Sequence, residues 1–571
     1  MSYPSAYEAW RRDFAADAAT QAELSAIAND PNEIEDRFYT ELSFGTAGMR
    51  GVLGAGTNRM NRYNVRRATK GLADYILRIE GAAERGVVIA HDSRILSPEF
   101  ALETALVLAQ SGVKALLFPS LRPVPVLSFA VRELGAVAGV AITASHNPRQ
   151  YNGYKVYWED GAQLPPERAD EVLALIRARA YGECLPMDQE QALSAGLLEY
   201  VPASVDDRYT ERVKTLSIRP ELLLSHGADL KIVYTPVHGS GNIPVRRVLG
   251  EMGMKNLLVV SEQEAPNGEF PTVRVPNPED PDVFRLAIEQ ANREGADCCF
   301  ATDPDCDRLG VAVRTHSGEF MLLTGNQIGC LLLDYILSGR KEQGNLPANG
   351  AAVKSIVSTA LADAIAASYG VKMIATLTGF KFIAEQIQHF EETHAHTFLF
   401  GFEESYGYLS STFVRDKDAV NASLLVTELA LYLKTRGQTL YDALLALYQK
   451  HGWHLDKVAS INLPGKDGLA RMGEIMQALR DAPPVELGGV PVIAVRDYQS
   501  GLRTDATGSA PMGFPASDVL YYELSGGHWV CIRPSGTEPK IKLYVGVSAA
   551  EEAAAEALGA RVEAAARARL A

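Results

Sequence analysis

Three aspartates occupy alternate positions in the stretch TDPDCDRLG, directly after the apolar run ADCCFA: Asp303, Asp305 and Asp307. Carboxylates this close repel one another, and a hard divalent cation bound through their oxygens relieves the repulsion. An EF-hand is excluded because Arg308 stands where the loop needs glycine and Arg314 stands where it needs glutamate. A solvated acidic turn is the simpler alternative. Because the triplet follows an apolar, strand-like run, we predict a Mg²⁺ site here.

The stretch RPSGTEPK, residues 533–540, has the composition of an anion-binding loop and follows the strand-like run HWVCI. A guanidinium, two hydroxyls and a glycine that lets backbone N–H groups face a phosphate are its candidate ligands: Arg533, Ser535, Gly536 and Thr537. The loop is not a P-loop, since GxxxxGK[ST] occurs nowhere in the chain. An ordinary turn is the commoner interpretation of a Ser-Gly pair after a strand, and Arg533 favours the anion site.

The stretch FLFGFEESYGYL leads from a strand-like run into Glu403, Glu404 and Ser405. Acceptor oxygens at the end of a strand suit a polyhydroxylated ligand such as a sugar. A helix N-terminus carrying favourable acids is the alternative, and the pattern leaves both open. Arg50 in FGTAGMRG and Lys155 in YNGYKVY are further candidates, although exposed Arg and Lys side chains are usually solvated surface.

Ser145 lies beside His146 in the polar stretch TASHNP, which follows the apolar run LGAVAGVAI. A hydrolase nucleophile would need G-x-S-x-G, which is absent here. Neighbouring side chains at a strand end are also expected to point apart, so His146 is not expected to act as a general base on Ser145. A serine, an aspartate triplet, an anion loop and dispersed Arg and Lys residues together indicate phosphoryl transfer, in which positioning and charge neutralisation carry most of the catalysis.

Length and charge exclude several classes of protein. A chain of 571 residues is expected to form three to four domains. The net charge of -15 argues against a nucleic-acid partner. No run reaches the ~18 apolar residues of a membrane span, and the N-terminus lacks the apolar core of a signal peptide, so we expect no membrane partner and a cytoplasmic location. The six cysteines are expected to be free thiols.

The elements that must position these loops read as α/β layers followed by a different domain. An apolar strand, a polar loop and a helical pattern recur at GVVIAHDSR, at KIVYTPVHGSG and at AVKSIVSTALADAIA, which predicts mostly parallel strands with ligands at their carboxyl ends. The last third reads as successive antiparallel strands before an Ala-rich helix, with LPGKDG and DATGSAPMGFP as loops. We predict domains at 1–205, 206–322, 323–450 and 451–571.

Four motifs in this order, TASHNP, DPDCDR, GFEES and RPSGTEPK, make the chain similar along its length to the α-D-phosphohexomutase superfamily. The strings FGTAGMRG, YTPVHGSG, TLTGFKF and VRDKDA further resemble the phosphoglucomutase and phosphopentomutase branch. The resemblance implies an α/β fold of four domains around a central cleft: three related α/β units with mixed sheets and a C-terminal α+β domain that closes over substrate.

The same resemblance assigns roles to residues. Ser145 would carry a phosphoryl group and, with Asp303, Asp305 and Asp307, bind Mg²⁺. Arg50, His146, Lys155 and Arg308 would surround that group, with Lys155 a candidate for proton transfer if neighbouring cations lower its pKa. Sugar hydroxyls would contact Glu403 and Ser405, while Thr378, Lys381 and Lys417 would make secondary contacts to sugar or phosphate. Arg533, Ser535, Gly536 and Thr537 would hold the substrate's phosphate.

The implied reaction interconverts glucose 1-phosphate and glucose 6-phosphate, with glucose 1,6-bisphosphate as intermediate and activator. Phosphomannomutase, phosphopentomutase and glucose 1,6-bisphosphate synthase activities are alternatives, and a non-catalytic sugar-phosphate sensor is a more remote one. One position departs from the bacterial phosphomannomutase/phosphoglucomutase branch: Gly407 stands where that branch has a histidine, so the proton-transfer role of that histidine cannot be carried over. Whether the chain is a monomer or a dimer stays open.

Overall fold

The structure, a computed structural model, describes residues 2–45, 48–463, 468–535 and 540–570. Two compact units divide the chain. Unit 1 comprises residues 1–324, 383–401 and 405–439, and unit 2 comprises residues 325–382, 402–404 and 440–571. None of the helices in the described ranges is long and apolar enough to cross a membrane.

Three short helices open the chain, where the sequence analysis assigned no element: α1 (Tyr3–Asp13), α2 (Ala18–Ala26) and α3 (Pro31–Phe38). The side chain of Asp17 accepts hydrogen bonds from the first turn of α2, and the side chain of Asp30 does the same for α3. Such caps satisfy backbone donors that a helix leaves unpaired. An aromatic cluster around Trp10 packs these helices against Tyr63.

The first sheet of unit 1 has seven strands. The elements of this region are β1 (Phe44–Gly45), β2 (Gly48–Val52), α4 (Arg62–Ile76), α5 (Ala82–Arg85), β3 (Val87–His91), α6 (Ser97–Gln110), β4 (Ala115–Leu117), α7 (Val124–Glu133), β5 (Ala138–Ile142), β6 (Tyr151–Trp158), α8 (Pro166–Arg177), α9 (Gln189–Ser194) and β7 (Leu198–Tyr200). The strand order is β1-β2-β6-β5-β3-β4-β7. Strands β5, β3, β4 and β7 run parallel, and β6 is antiparallel to β5. The central strands are continuously apolar because helices cover both faces of a parallel sheet.

A second sheet of unit 1 presents the aspartate loop. Its region contains α10 (Ser204–Lys214), α11 (Pro220–His226), β8 (Lys231–Thr235), α12 (Asn242–Glu251), β9 (Asn256–Val259), α13 (Ser261–Glu264), α14 (Arg285–Glu294), β10 (Cys298–Thr302), β11 (Leu309–Arg314) and β12 (Phe320–Leu322). The strand order is β12-β11-β10-β8-β9. Strand β10 is fully buried and lies parallel to β8 and antiparallel to β11. The aspartates therefore sit in the connection that joins β10 to β11.

The region from residue 325 to 451 contains α15 (Gly325–Glu342), β13 (Gly350–Ser355), α16 (Leu361–Ser368), β14 (Lys372–Thr376), α17 (Phe380–Thr393), β15 (Thr397–Glu403), β16 (Gly407–Leu409), α18 (Ala419–Lys434) and α19 (Leu440–His451). In unit 2, β13 pairs in parallel with β14. The predicted strand-loop-helix alternation near residues 90, 235 and 355 is confirmed in each case by a strand followed by a helix.

The last region of unit 2 is an antiparallel sheet with helices. It contains β17 (Trp453–Asn462), α20 (Gly468–Asp481), β18 (Glu486–Leu487), β19 (Val490–Asp497), β20 (Leu502–Asp505), β21 (Gly508–Pro511), β22 (Leu520–Leu524), β23 (Trp529–Pro534), β24 (Lys540–Ala549) and α21 (Glu552–Ala568). The strand order is β17-β24-β23-β22-β19-β20-β21. Apolar side chains of α20, α21 and the sheet form one core. The predicted α+β character with antiparallel strands is confirmed.

One loop prediction is wrong. DATGSAPMGFP was predicted to be a loop, whereas Gly508–Pro511 forms strand β21 and pairs with β20. The turn is tight because the Asp505 carboxylate accepts hydrogen bonds from the backbone N–H and the hydroxyl of Thr507. The strand is exposed throughout, so it carries no apolar alternation that a sequence pattern could reveal. The other predicted loop, LPGKDG, lies largely outside the described residues, at 464–467.

All six cysteines are free and buried. The prediction of free thiols is confirmed.

Candidate active site

Ser145 lies in the loop that follows β5, with its backbone in the left-handed region at φ 51°. Its Oγ donates a hydrogen bond to Asp303 Oδ2 at 2.8 Å and lies 3.1 Å from His146 Nδ1. The expectation that the side chains of Ser145 and His146 point apart is therefore wrong. It assumed extended backbone, and the left-handed turn at Ser145 brings the two neighbouring side chains to the same side. The loop thus directs the serine hydroxyl towards the aspartate cluster.

The three aspartates converge as the sequence analysis expected. Ligand oxygens of Asp303, Asp305 and Asp307 lie within 4.8 Å of one another, and all three side chains are buried. The backbone N–H groups of Asp307 and Arg308 donate to Asp303 Oδ1 at 3.1 and 3.0 Å. Oδ1 of Asp305 and Oδ1 of Asp307 are buried without a hydrogen-bond partner among the described residues. Orphaned carboxylate oxygens in one cluster fit a hard cation with oxygen ligands.

The electrostatics of this cluster are unbalanced without added positive charge. Burial and the charges of Asp305 and Asp307 raise the pKa of Asp303 well above its ordinary value. Burial, followed by the charge of Asp305, also raises the pKa of Asp307. Burial alone would raise the pKa of Asp305 too, but the ammonium of Lys155 and hydrogen bonding outweigh it and leave that pKa lowered. A bound cation would stabilise the charged forms of all three carboxyl groups.

Two lysines supply part of the positive charge. Lys155, on β6, places its Nζ 2.8 Å from Asp305 Oδ2 and 3.8 Å from Asp307 Oδ2. Lys417, just before α18, places its Nζ 3.1 Å from Asp307 Oδ2 and 2.8 Å from Asp416 Oδ1. Both ammonium groups are buried, so these ion pairs are screened little by water. The contacts of Lys417 were not foreseen, because it was expected to contact sugar or phosphate.

Arg50, Arg308 and His146 lie around the same loops. Arg50 Nη1 donates to Asn147 Oδ1 at 2.9 Å, and Arg308 Nη1 donates to Glu279 Oε1 at 2.7 Å. Burial, followed by the charges of Arg308 and Arg50, holds the pKa of His146 well below its ordinary value. His146 is therefore a neutral imidazole at neutral pH in this arrangement. Asn147 and Glu279 were not among the predicted site residues.

A group of buried residues behind the serine loop was also missed. Asp92, Arg94 and Thr143 hydrogen-bond one another and the loop. The string HDSR was predicted to be part of a strand-loop-helix unit, with no role at the site. Its signal was topological: β3 lies beside β5 in a parallel sheet, so the residues that follow both strands meet at one edge.

In unit 2, the glutamates of the predicted sugar loop anchor to neighbouring segments. Glu403 Oε1 accepts from the backbone N–H of Gly379 at 2.7 Å, and Glu404 Oε2 accepts from Ser355 Oγ at 2.9 Å. Thr378 directly precedes Gly379 in the chain, and the Lys381 ammonium lies 4.7 Å from the centre of the Phe382 ring. Both glutamates are partly exposed, so they can still accept from a ligand. Ser405, which begins the next segment of unit 1, is also partly exposed.

The predicted phosphate loop is described only in part. Arg533 lies near the end of β23 and is partly exposed. The backbone N–H of Ser535 donates to the carbonyl of Lys540 at 2.8 Å. Gly536 and Thr537 lie outside the described residues.

Family models for four successive domains match the chain. They are phosphoglucomutase/phosphomannomutase alpha/beta/alpha domain I at residues 41–182, domain II at 207–318, domain III at 324–451 and the C-terminal domain at 466–564. The matched ranges cover well over half of the sequence. The chain belongs to the phosphoglucomutase/phosphomannomutase family. The predicted superfamily and the predicted α/β fold class with mixed sheets are both confirmed.

Each chemistry-bearing loop of this phosphoglucomutase/phosphomannomutase family member falls in a different matched domain. Ser145 lies in the domain I match and the aspartate triplet in the domain II match, while Glu403 and Arg533 lie in the domain III and C-terminal matches. Residues 1–40 precede the first match, so helices α1 to α3 lie outside it.

Individual relatives of this family member agree with the assignment. A phosphoglucomutase of Staphylococcus epidermidis is 39% identical over 519 residues, which are 90% of this chain and 92% of the relative. The open form of parafusin, a phosphoglucomutase of Paramecium, has a TM-score of 0.67 at 18% identity over 93% of this chain and 95% of the other. A phosphoglucomutase/phosphomannomutase family protein of Burkholderia thailandensis has a TM-score of 0.66 at 18% identity over 92% of this chain and 97% of the other. The two structures support the fold, and the curated relative bears on function.

Proposed function

We propose that this chain is a phosphoglucomutase that interconverts glucose 1-phosphate and glucose 6-phosphate through a phosphorylated Ser145. One observation carries the proposal: the Ser145 hydroxyl lies 2.8 Å from Asp303 in a buried cluster that can hold a metal. The 39% identity to a curated phosphoglucomutase over 90% of the chain supports glucose as the sugar.

The chain's own residues prepare the serine for a phosphoryl group. Mg²⁺ held by Asp303, Asp305 and Asp307 would offset the negative charge of the phosphoryl oxygens. Arg50 and Arg308 would add fixed positive charge around them, and neutral His146 can donate a hydrogen bond from one ring nitrogen. Charge stabilisation of this kind needs donors that are already in place, and hydrogen bonds to Asn147 and Glu279 hold Arg50 and Arg308.

In the proposed forward reaction, the free hydroxyl of glucose 1-phosphate attacks phosphorus on phospho-Ser145. The bond between phosphorus and Ser145 Oγ breaks, a new phosphorus–oxygen bond forms, and the hydroxyl proton passes to a base. Lys155 is the candidate base we put forward, with Lys381 or Lys417 as substitutes. Glucose 1,6-bisphosphate then reorients in the site and transfers its other phosphate to Ser145, leaving glucose 6-phosphate. The bisphosphate is therefore both the intermediate and the activator that phosphorylates resting enzyme.

The partly exposed loops would bind the sugar and the phosphate that is not reacting. Glu403 and Ser405 would accept hydrogen bonds from sugar hydroxyls, with Thr378 and Lys381 nearby. Arg533, Ser535, Gly536 and Thr537 would hold the phosphate that is not reacting. The buried ion pairs of Lys417 favour a role in balancing the charge of the aspartate loop, and its contact with substrate stays a prediction. A cytoplasmic location, where phosphosugars are found, also stays a prediction.

The test is conversion of glucose 1-phosphate by purified protein with Mg²⁺ and a trace of glucose 1,6-bisphosphate. Ser145→Ala should abolish turnover, and Ser423→Ala should not, because Ser423 is a similarly buried serine whose hydroxyl donates to Ala419 O of its own helix. A native protein that is inactive on glucose 1-phosphate but active on mannose 1-phosphate or ribose 1-phosphate would refute glucose as substrate. Net bisphosphate formation from a phosphoryl donor would indicate a synthase, and binding without turnover would indicate a sensor.

A further inference from the structure

Ser145 adopts a backbone conformation that side-chain-bearing residues seldom take. At φ 51° its Cβ crowds its own backbone, so the loop must be held in place by its surroundings. This conformation directs the Ser145 Oγ towards Asp303 Oδ2. Whatever holds this backbone also decides where the serine hydroxyl points.

The guanidinium of Arg94 donates hydrogen bonds to several backbone carbonyls of the loop that contains Ser145. Arg94 is fully buried and donates to four carbonyl oxygens: those of Ser145, Asn147, Pro148 and Tyr151. The Nη2–O distance to Ser145 is 2.6 Å, and both Nη1 distances are 3.0 Å. A planar fork can span several acceptors at once, which an ammonium group cannot do in the same geometry.

A carboxylate and a hydroxyl complete the support. Asp92 Oδ1 accepts from the backbone N–H of Arg94 and from Ser97 Oγ, both at 2.9 Å. Asp92 Oδ2 accepts from Thr143 Oγ1 at 2.6 Å, and the same Thr143 oxygen accepts from the backbone N–H of Ser145 at 2.8 Å. Thr143 Oγ1 also lies 3.2 Å from Asp305 Oδ2. One hydroxyl thus connects the support to both the serine and the aspartate loop.

We propose that Asp92, Arg94 and Thr143 are positioning residues for phosphoryl transfer at Ser145. They act through the loop backbone, by holding Ser145 in the left-handed conformation that directs its Oγ at the aspartate cluster. The inference rests on the proposed function in that Ser145 carries the phosphoryl group. Arg94 Nε and Asp92 Oδ2 form a buried ion pair at 3.3 Å. Such a pair is a poor source of stability compared with apolar packing, and the contacts of this one converge on the loop of Ser145.

The sharpest test removes one hydroxyl. Thr143→Val keeps size and shape but loses the bonds to Asp92 and to the Ser145 amide. Thr143→Ser keeps the hydroxyl, and Thr104→Val is the matched control, because Thr104 is an equally buried threonine whose hydroxyl donates to Phe100 O of its own helix. We expect kcat to fall about tenfold to a hundredfold in Thr143→Val with KM nearly unchanged, since misplacement by about 1 Å can cost that much. Thr143→Ser should retain most activity, and Thr104→Val all of it.

A readout independent of the sugar separates this inference from the proposed function. Intact mass spectrometry follows formation of phospho-Ser145 from glucose 1,6-bisphosphate and its loss to water. Both rates should change at least about tenfold in Thr143→Val and not in Thr104→Val, while the two variants lose similar thermal stability. Unchanged rates would overturn the inference even if native enzyme is a phosphoglucomutase. Changed rates in a protein inactive on glucose phosphates would refute only the substrate.

Arg94→Lys is the second variant. It keeps the charge but cannot bond four carbonyls at once, so its kcat should fall further than that of Thr143→Val. A folded Arg94→Lys protein with native kcat would overturn the role of Arg94. Should it fail to fold, the threonine pair still decides the matter.

Discussion

The loops that would carry the chemistry and the loops that would recognise the substrate are built differently. Around Ser145, the three aspartates, Lys155 and Lys417 are buried and both lysines form ion pairs with aspartates, whereas Arg50 is exposed. Glu403, Glu404 and Arg533 of unit 2 are partly exposed; Glu403 accepts from the Gly379 N–H and Glu404 from the Ser355 hydroxyl. Fixed buried dipoles and charges suit a transferring phosphoryl group, whereas a ligand that must bind in two orientations needs adaptable donors and acceptors. Damage to the first region should therefore affect kcat, and damage to the second should affect KM.

The largest effect is expected at the aspartate loop. Asp303→Asn removes a carboxylate that accepts from Ser145 and could bind a cation, so kcat should fall by about a thousandfold or more. Steady-state assays across Mg²⁺ concentrations measure the loss. Asp282→Asn, which alters an exposed carboxylate in the same matched domain, should leave kcat unchanged. A raised KM without loss of kcat in Asp303→Asn would contradict a role of the aspartate loop in the chemical step.

The next largest fall in kcat is expected on substitution of Gly407, which packs against Lys417. A Cβ on Gly407 would lie 2.1 Å from Lys417 Cδ, so Gly407→Ala must displace the lysine from Asp307 and Asp416. We expect kcat to fall about tenfold to a hundredfold, because a buried charge pair is broken. A histidine at this position, as in the other branch, could not share the space with Lys417.

A double-mutant cycle checks that mechanism. Lys417→Met and Gly407→Ala should cost similar amounts, and the double variant should be no worse than either one, because both act by removing the same ammonium group. Gly250→Ala is the matched control, since a Cβ there has no atom of the described residues within 4 Å outside its own helix backbone and chain neighbours. Additive losses would show that Gly407 acts independently of Lys417.

The recognition region should respond more weakly and in KM. Glu403→Gln keeps an acceptor for the Gly379 N–H but removes the charge, so KM for glucose 1-phosphate should rise about tenfold with kcat within about threefold. Initial-rate kinetics measure both parameters, with Glu486→Gln as an exposed control in the same unit. A fall in kcat with an unchanged KM would place Glu403 with the chemistry instead.

The smallest effect concerns stability. Burial raises the pKa of Asp418, the N-cap of α18, to about 6. The folded state therefore binds this proton more tightly than the unfolded state, and the resulting stabilisation, complete below about pH 4, is lost as pH rises through about 6. Between pH 5 and 7.5 the free energy of unfolding of the native protein should fall by about 1.4 kcal/mol relative to that of Asp418→Asn.

Thermal midpoints of the two proteins at both pH values test the sign. The thermal midpoint of Asp418→Asn should rise relative to that of the native protein on going to the higher pH. An equal shift in both proteins would show that the Asp418 carboxyl does not titrate in this range.

Much of the fold followed from local patterns. Apolar runs before polar loops predicted the buried strands β3, β8 and β13, because a strand covered on both faces must be apolar. The exposed hairpin at Gly508–Pro511 left no such pattern and was missed. The aspartate cluster could be predicted because its members are close in sequence. The contact of Lys417 with Asp307 could not, because it joins distant segments that only packing brings together.

The chemical groups present, their order along the chain and the family could all be predicted from the sequence, because residue types and short spacings are local information. The tertiary structure alone decided that Ser145 turns left-handed towards Asp303, that Asp92, Arg94 and Thr143 support it, and that Gly407 makes room for Lys417. The physical reason is that backbone strain and buried charge persist only where surrounding segments compensate them, and those segments are distant in sequence.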